Sequence, residues 1–269
     1  MASEVVITLA NLAKQIGSKV IFSGLDLGIH SGDKIGLVGV NGCGKSTLLK
    51  VLASVIEPSE GSLVIRGGLK LGYLPQEAPQ TADMSVLDYI QPPVPFAAES
   101  DEEHHYKAML TVLGLTDFAK PLALLSGGQR RKADLARVLV AEPDILILDE
   151  PTNHLDLDAI EWLQDLLAAT KKTVIFVTHD RYFLDAVCNR VLQIDHGRCH
   201  LHDGNYSAYV RGQLIRATDV QRKETRRQAQ LKKELDWLNR GAKARATKPK
   251  NHVDRVRELL SKSYLISNA

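Results

Sequence analysis

The sequence predicts an α/β domain built around a buried parallel sheet, interrupted by a helical insert and followed by a helical-hairpin appendage. Three observations lead there. Apolar runs recur at residues 34–38, 145–148 and 173–177, and each ends in glycine or polar residues, the pattern of strands covered on both faces. Helical segments separate them, residues 127–141 among them. The charge also divides the chain. Residues 1–210 hold 18 Lys/Arg against 26 Asp/Glu, a net of −8, and residues 211–269 hold 16 against 6, a net of +10. That split places a boundary near residue 210 and points to an anionic partner for the tail.

In chain order, strands come first and Lys34-Ile-Gly-Leu-Val38 reads as a buried strand. The string Gly39-Val-Asn-Gly-Cys-Gly-Lys-Ser-Thr47 follows, and a helix is expected from Thr47 to Ile56. Gly39, Gly42 and Gly44 let the backbone curl so that N–H groups point inward at a phosphate, and the helix N-terminus adds partial positive charge. Lys45 is placed to reach the β- and γ-phosphates and the Ser46 hydroxyl to ligate Mg²⁺. The expected nucleotide contacts are therefore Gly39, Asn41, Gly42, Cys43, Gly44, Lys45, Ser46 and Thr47. Side-chain identity at Cys43 matters little. The bland alternative is a glycine turn before an ordinary helix. Gln76, closing Leu-Gly-Tyr-Leu-Pro-Gln, is a weaker candidate that a solvated loop glutamine would also explain.

A helical insert is expected from about residue 84, reaching to about 141 with the helix that follows Leu125-Ser-Gly-Gly-Gln129. Its Gln-Pro-Pro-Val-Pro stretch, residues 91–95, reads as a rigid loop, and Glu99–Glu103 as an acidic helix start. Ile145-Leu-Ile-Leu-Asp-Glu150 reads as a parallel strand with two carboxylates at its C-terminal end. Adjacent carboxylates there are costly unless a cation or water compensates them. Asp149 is expected to hold Mg²⁺ through water and Glu150 to orient and deprotonate an attacking water. A pair of helix-capping acids is the alternative. His179 ends the next strand, beyond the sheet edge where ligands bind in such folds, and is read as a γ-phosphate contact rather than a structural histidine.

In the tail, residues 206–239 lack proline and carry Leu231, Leu235 and Leu238 at helical spacing, with Gly241 ending the helix. Residues 242–250 form a basic loop, and Asn251 caps a second helix containing Val253, Val256, Leu259 and Leu260. The tip, with Arg240, Lys243, Arg245, Lys248 and Lys250, suits a phosphate backbone. A solvated charged helix pair is the alternative. No internal repeat is evident.

At 269 residues the chain has room for one domain of about 200 residues and an appendage. Its 44% apolar content is ordinary. No stretch approaches the roughly 18 apolar residues of a membrane span, and Met-Ala-Ser-Glu-Val lacks the features of a signal peptide. Cys43, Cys188 and Cys199 are too scattered for a disulfide framework or zinc site. A cytoplasmic location without a membrane partner is expected.

The order of residues 39–47, Gln76, 125–129, 145–150, Asp156 and His179 resembles the ATP-binding cassette (ABC) superfamily over residues 4–210. The resemblance implies an ABC-type P-loop ATPase fold with ATP and Mg²⁺ as cofactors. It assigns phosphate and Mg²⁺ to Lys45, Ser46 and Thr47, metal sensing to Gln76, Mg²⁺ support to Asp149, the base to Glu150 and a γ-phosphate contact to His179. Ser126, Gly127 and Gly128, with Gln129 beside them, would meet the ATP of an opposing domain, and Asp156 lies in the loop that crosses to it. One position departs from the pattern. Where many cassettes stack an aromatic on adenine this chain has Ile16, and Phe22 is the nearest aromatic.

Pro151-Thr-Asn-His-Leu-Asp156 and Gly204-Asn-Tyr-Ser-Ala-Tyr209 resemble the ABC-F group, and residues 234–250 look like the interdomain linker of its Uup-like branch. That likeness implies paired cassettes acting on ribosomes, with a linker hairpin that reaches tRNA and ribosomal RNA. ABC-F proteins have two cassettes, and residues up to Ala269 hold no second glycine cradle. A second ABC domain or a homodimer is therefore the expected partner, with ribosome or tRNA beyond it. A DNA-structure-binding repair ATPase and the ATPase subunit of a membrane transporter are the alternative functions.

Overall fold

The computed structural model describes residues 4–77, 84–91, 100–241 and Val256. The chain forms two compact units, residues 1–207 and 208–269. In the first unit the long antiparallel strands β1 (Val5–Ile16) and β2 (Lys19–His30) precede β3 (Lys34–Val38) and helix α1 (Lys45–Leu52). Strands β4 (Glu60–Ile65) and β5 (Leu71–Leu74) lead into the insert, with α2 (Val86–Ile90), α3 (Ser100–Val112), a 3₁₀ turn at Leu122–Leu124 and α4 (Gly127–Val140). The chain then alternates β6 (Ile145–Asp149), α5 (Leu157–Ala169), β7 (Thr173–Val177), α6 (Arg181–Val187), β8 (Arg190–Asp195) and β9 (Arg198–Asp203).

Two sheets result. One is a three-stranded antiparallel sheet, β2-β1-β4, and the other a six-stranded sheet, β5-β6-β7-β3-β8-β9. The second is parallel except for β9. Every residue of β6 and β7 is buried, as apolar runs without alternation require. α1 lies in the core between the sheets. Its Leu48, Leu49, Val51 and Leu52 pack in one cluster with Ile7, Leu12, Phe22 and Ile29 of the antiparallel sheet and with Ile145, Ile147, Ile175 and Val177 of the parallel one.

α1 starts earlier and stops earlier than its sequence predicts. Gly44 at φ 106° is its N-cap, and Ser54 at φ 56° turns the chain out of the helix. The register of the parallel strands sets the site. Val177 is level with both Leu37 and Asp149, so β3, β6 and β7 deliver their following loops to one edge of the sheet.

In the insert, the Tyr89 hydroxyl donates to Asp134 Oδ1 at 2.7 Å, and the guanidinium groups of Arg130 and Arg137 lie 4.4 and 4.6 Å from the Tyr89 ring centroid. This joins α2 to α4. Residues 92–95, read as a rigid loop, lie outside the described residues, as do the side chains at 100–102.

The second unit continues helix α7 (Tyr206–Gly241), which runs without interruption through Gly212. Glu224 is buried in it. Arg227 grips it with bonds of 2.9 and 2.6 Å, and Gln228 Nε2 adds one of 2.9 Å. The expected basic tip at Lys243, Arg245, Lys248 and Lys250, the cap Asn251, and Val253, Leu259 and Leu260 lie outside the described residues. So does the side chain of Arg240. Val256 is helical and buried. Among the described residues no helix is long and apolar enough to cross a membrane.

Candidate active site

A cavity of about 360 Å³ opens at the shared strand edge. Asn41, Gly42, Gly44, Lys45, Ser46 and Thr47 line one side, and Gln76, Glu150 and His179 the other. The loop between β3 and α1 takes its shape from its glycines. A Cβ at Gly44 would overlap Cγ2 of Ile21, itself a lining residue, and the residue's φ of 106° disfavours any side chain. Lys45 Nζ is anchored over the loop by the carbonyls of Gly39 at 2.9 Å and Val40 at 3.2 Å, which directs its charge into the cavity mouth.

Opposite the loop, Ser46 Oγ donates to Asp149 Oδ1 at 3.1 Å. Asp149 Oδ2 and Glu150 Oε2 are buried and have no hydrogen-bond partner among the described residues. Burial pushes the Asp149 carboxyl above its ordinary value, while Ser46, Lys50, Arg131 and Lys45 pull the other way. Burial likewise raises Glu150, and facing His179 opposes it. His179 Nε2 stands 3.2 Å from Glu150 Oε1. Glu150 adopts φ 51°, left-handed for a non-glycine residue. Its N–H donates to Val177 O at 2.9 Å, and Thr152 and Thr178 share a hydroxyl bond of 2.8 Å just beyond.

Mg²⁺ fits this donor set. Two unpartnered buried carboxylate oxygens beside a serine hydroxyl are the groups a hard cation compensates. Among the described residues no cluster of three His, Cys, Asp or Glu side chains forms a complete cage. Ser46 and Asp149 are thus a partial set, as Mg²⁺ sites completed by phosphate oxygens and water are.

The motif at Ser126 stands apart from this cavity. Ser126 is the N-cap of α4, and with Gln129 it makes a reciprocal capping box of two 3.2 Å bonds. None of Ser126, Gly127, Gly128 and Gln129 lines the Lys45 cavity. Gly128 packs against the next loop so closely that a Cβ would lie 2.6 Å from His154 O. Asp156 in that loop caps α5 and accepts from Lys132 Nζ at 2.7 Å, which holds its carboxyl below the ordinary value.

The fold places three side chains whose direction the sequence left open. Cys43, expected among the nucleotide contacts, is not a lining residue of the cavity: its side chain packs against the core cluster and its N–H donates to Val40 O at 3.2 Å. Phe22 is wholly buried in the core and unavailable to stack on a base, whereas Ile16 is more than half exposed. The Gln129 side-chain oxygen serves the cap and accepts from Lys120 Nζ at 3.2 Å.

One residue went unremarked in the sequence. Arg131 is buried, and its NH1 donates to Pro75 O at 2.6 Å and Gln76 O at 3.3 Å, its NH2 to Asp149 O at 2.6 Å and Glu150 O at 2.8 Å. Its partners are main-chain carbonyls of distant segments, which no spacing rule marks.

A phosphate loop beside a serine–carboxylate pair, with a capped Ser-Gly-Gly helix start turned to a different surface, defines a cassette-type ATPase. The ABC transporter family model matches residues 22–153, and a second model of the same description matches residues 192–262. The chain belongs to the ABC ATPases and is of the ABC-F type. It is 36% identical to the ABC transporter ATP-binding protein YfmR of Bacillus subtilis, over 93% of this chain and 46% of that protein. It is 33% identical to the energy-dependent translational throttle protein EttA of Mycobacterium tuberculosis, over 97% of this chain and 53% of that protein. The chain thus spans about half the length of these relatives. Among solved structures, an ABC transporter in an inward-facing conformation superimposes with a TM-score of 0.62 at 29% identity, covering 74% of this chain and 84% of that one.

Proposed function

We propose that this chain binds Mg–ATP at the Lys45 cavity, hydrolyses it when a second cassette presents its own Ser-Gly-Gly segment, and couples that cycle to an RNA partner through its basic tail. The observation that carries the first part is buried Glu150, whose Oε2 has no partner among the described residues, lining one cavity with the anchored Lys45. Lys45 and the loop N–H groups hold the phosphates. Glu150 accepts the proton of the attacking water, and His179, 3.2 Å away, orients that carboxylate and meets the γ-phosphate. Mg²⁺, held by Ser46 and Asp149 with Gln76 near it, supplies charge neutralisation at the phosphates when bound. Because Ser126–Gln129 lie off this cavity, two cassettes arranged head-to-tail about a two-fold axis would each complete the other's site.

The RNA partner is argued from charge and kinship. Residues 211–269 carry a net of +10, from 16 Lys/Arg against 6 Asp/Glu, and the EttA relatives are named for throttling translation. We read the partner as the ribosome or its tRNA and the tail as an interdomain linker of the Uup-like kind. The test is ribosome cosedimentation of Glu150→Gln with ATP, with and without Ala at Arg240, Lys243, Arg245, Lys248 and Lys250, in competition with tRNA and branched DNA. Binding lost with the five substitutions, and a log–log salt slope flattened by about 0.7–0.9 per contact removed, supports the reading. Equal cosedimentation of both proteins, or of neither, removes it, and capture by branched DNA alone transfers it to DNA repair.

A further inference from the structure

Resting on the reading of the cavity as a hydrolytic site, we propose that Arg131 is a positioning residue that fixes the Gln76 loop and the Glu150 turn as one unit across the reacting phosphate. Its guanidinium meets four main-chain carbonyls, two on each segment, at 2.6–3.3 Å. Only a planar fork with this many donors spans both segments at once. Arg131 is 5% exposed, so these carbonyls are its solvation. Without it all four would lose this donor, Glu150 O keeping the Asn153 N–H at 3.3 Å.

Each held segment carries a side chain that lines the cavity, Gln76 on one and Glu150 on the other. Glu150 needs such restraint. A left-handed non-glycine conformation persists only where surroundings over-determine it. Here the Glu150 N–H is fixed by Val177 O at 2.9 Å, and its carbonyl by Arg131 at 2.8 Å. Arg131 thus touches neither phosphate nor water but sets where Glu150 and Gln76 aim. It also rides on α4, whose capped start at Ser126 is only five residues earlier in the chain.

Arg131→Lys keeps the charge without the fork, and Arg131→Gln keeps a planar group with two donors on a shorter stem, without the charge. In both, kcat should fall roughly 10- to 100-fold, as a small misplacement of a reacting group does. KM and the equilibrium affinity for ATP should stay within about threefold, since Lys45 and the loop are untouched, and the Mg²⁺ concentration for half-maximal turnover should rise. A second readout does not depend on turnover. In amide hydrogen exchange with ATP bound, residues 73–77 and 149–153 should lose protection together in the variants while residues 39–47 keep theirs. Turnover within twofold of wild type with unchanged exchange would overturn the proposal, as would deprotection of one segment alone. If neither variant melts cooperatively, Arg131 belongs to folding and the positioning role falls. If the wild type itself shows no turnover, the hydrolytic reading fails, and exchange still decides whether Arg131 couples the two segments.

Discussion

Glu150→Gln separates chemistry from binding. The substitution preserves the side chain's volume and one acceptor oxygen but removes the group that takes a proton. Loss of a positioned general base lowers turnover by about 10²–10⁴-fold, or roughly 3–5 kcal/mol of barrier. Binding should hold. Lys45 Nζ is held by the Gly39 and Val40 carbonyls and Ser46 Oγ by Asp149, so the substitution removes none of their hydrogen bonds. Removing a negative charge from a cavity built for phosphate should if anything tighten ATP. Burial raises the Glu150 carboxyl in the free protein, so wild-type kcat/KM should show an acid limb above the ordinary carboxylate range, with activity rising as pH rises through it. The variant should lack that limb. Phosphate release across pH and equilibrium titration with a fluorescent ATP analogue read both quantities on one preparation. Turnover of Glu150→Gln within about tenfold of wild type, or affinity falling in step with turnover, would refute the assignment.

Other expectations follow from the same geometry. Gly44→Ala combines a left-handed φ with overlap onto Ile21, which should cost about 1–3 kcal/mol and lower the melting midpoint by roughly 2–10 °C, read by thermal melts. Specific ATPase activity should rise with protein concentration, because the Ser126 motif lies off its own chain's cavity; sedimentation of Glu150→Gln with ATP should show the dimer. Lys132 holds the Asp156 carboxyl below its unfolded value, so their bond adds stability above the ordinary carboxylate pKa that is lost as pH falls through the lowered one. The melting difference between wild type and Lys132→Met should be present at neutral pH, of the order of 0.2–1 kcal/mol for so exposed a carboxylate, and vanish in acid.

The sheet and the phosphate loop were legible because each is written locally. Apolar runs of about five residues bounded by glycine or polar residues are too short for a buried helix and read as buried strands, and Gly42, Gly44 and Lys45 carry their geometry in their own spacing. Ser46, at the start of α1, and Asp149, at the end of β6, were each marked for Mg²⁺ by their own motifs, and the fold brings them to 3.1 Å. What stayed hidden depends on contacts between distant segments. Arg131 looks like any helix cation until Pro75, Gln76, Asp149 and Glu150 are folded around it. The inward packing of the Cys43 and Phe22 side chains stayed hidden for the related reason that sequence gives a residue's neighbours but not the direction of its side chain. The helix α1 ended early because Ser54 adopts a left-handed turn that serine does not advertise.

The packing of Gly128 against His154 bears on how variants in this region are interpreted. Glycine in such a motif is usually credited to the nucleotide it is supposed to meet, yet here the nearest obstacle to a side chain is a carbonyl of the same polypeptide. A methyl group added at 128 would push on His154, two residues from Asp156, and so disturb the crossing loop before any second cassette arrived. Loss of activity in Gly128→Ala is therefore ambiguous evidence about shared ATP. The cleaner substitution is at Gly127, where an added Cβ meets nothing within 4 Å among the described residues beyond its chain neighbours and its own helix backbone, so that a loss of activity with unchanged melting there points to what docks against it.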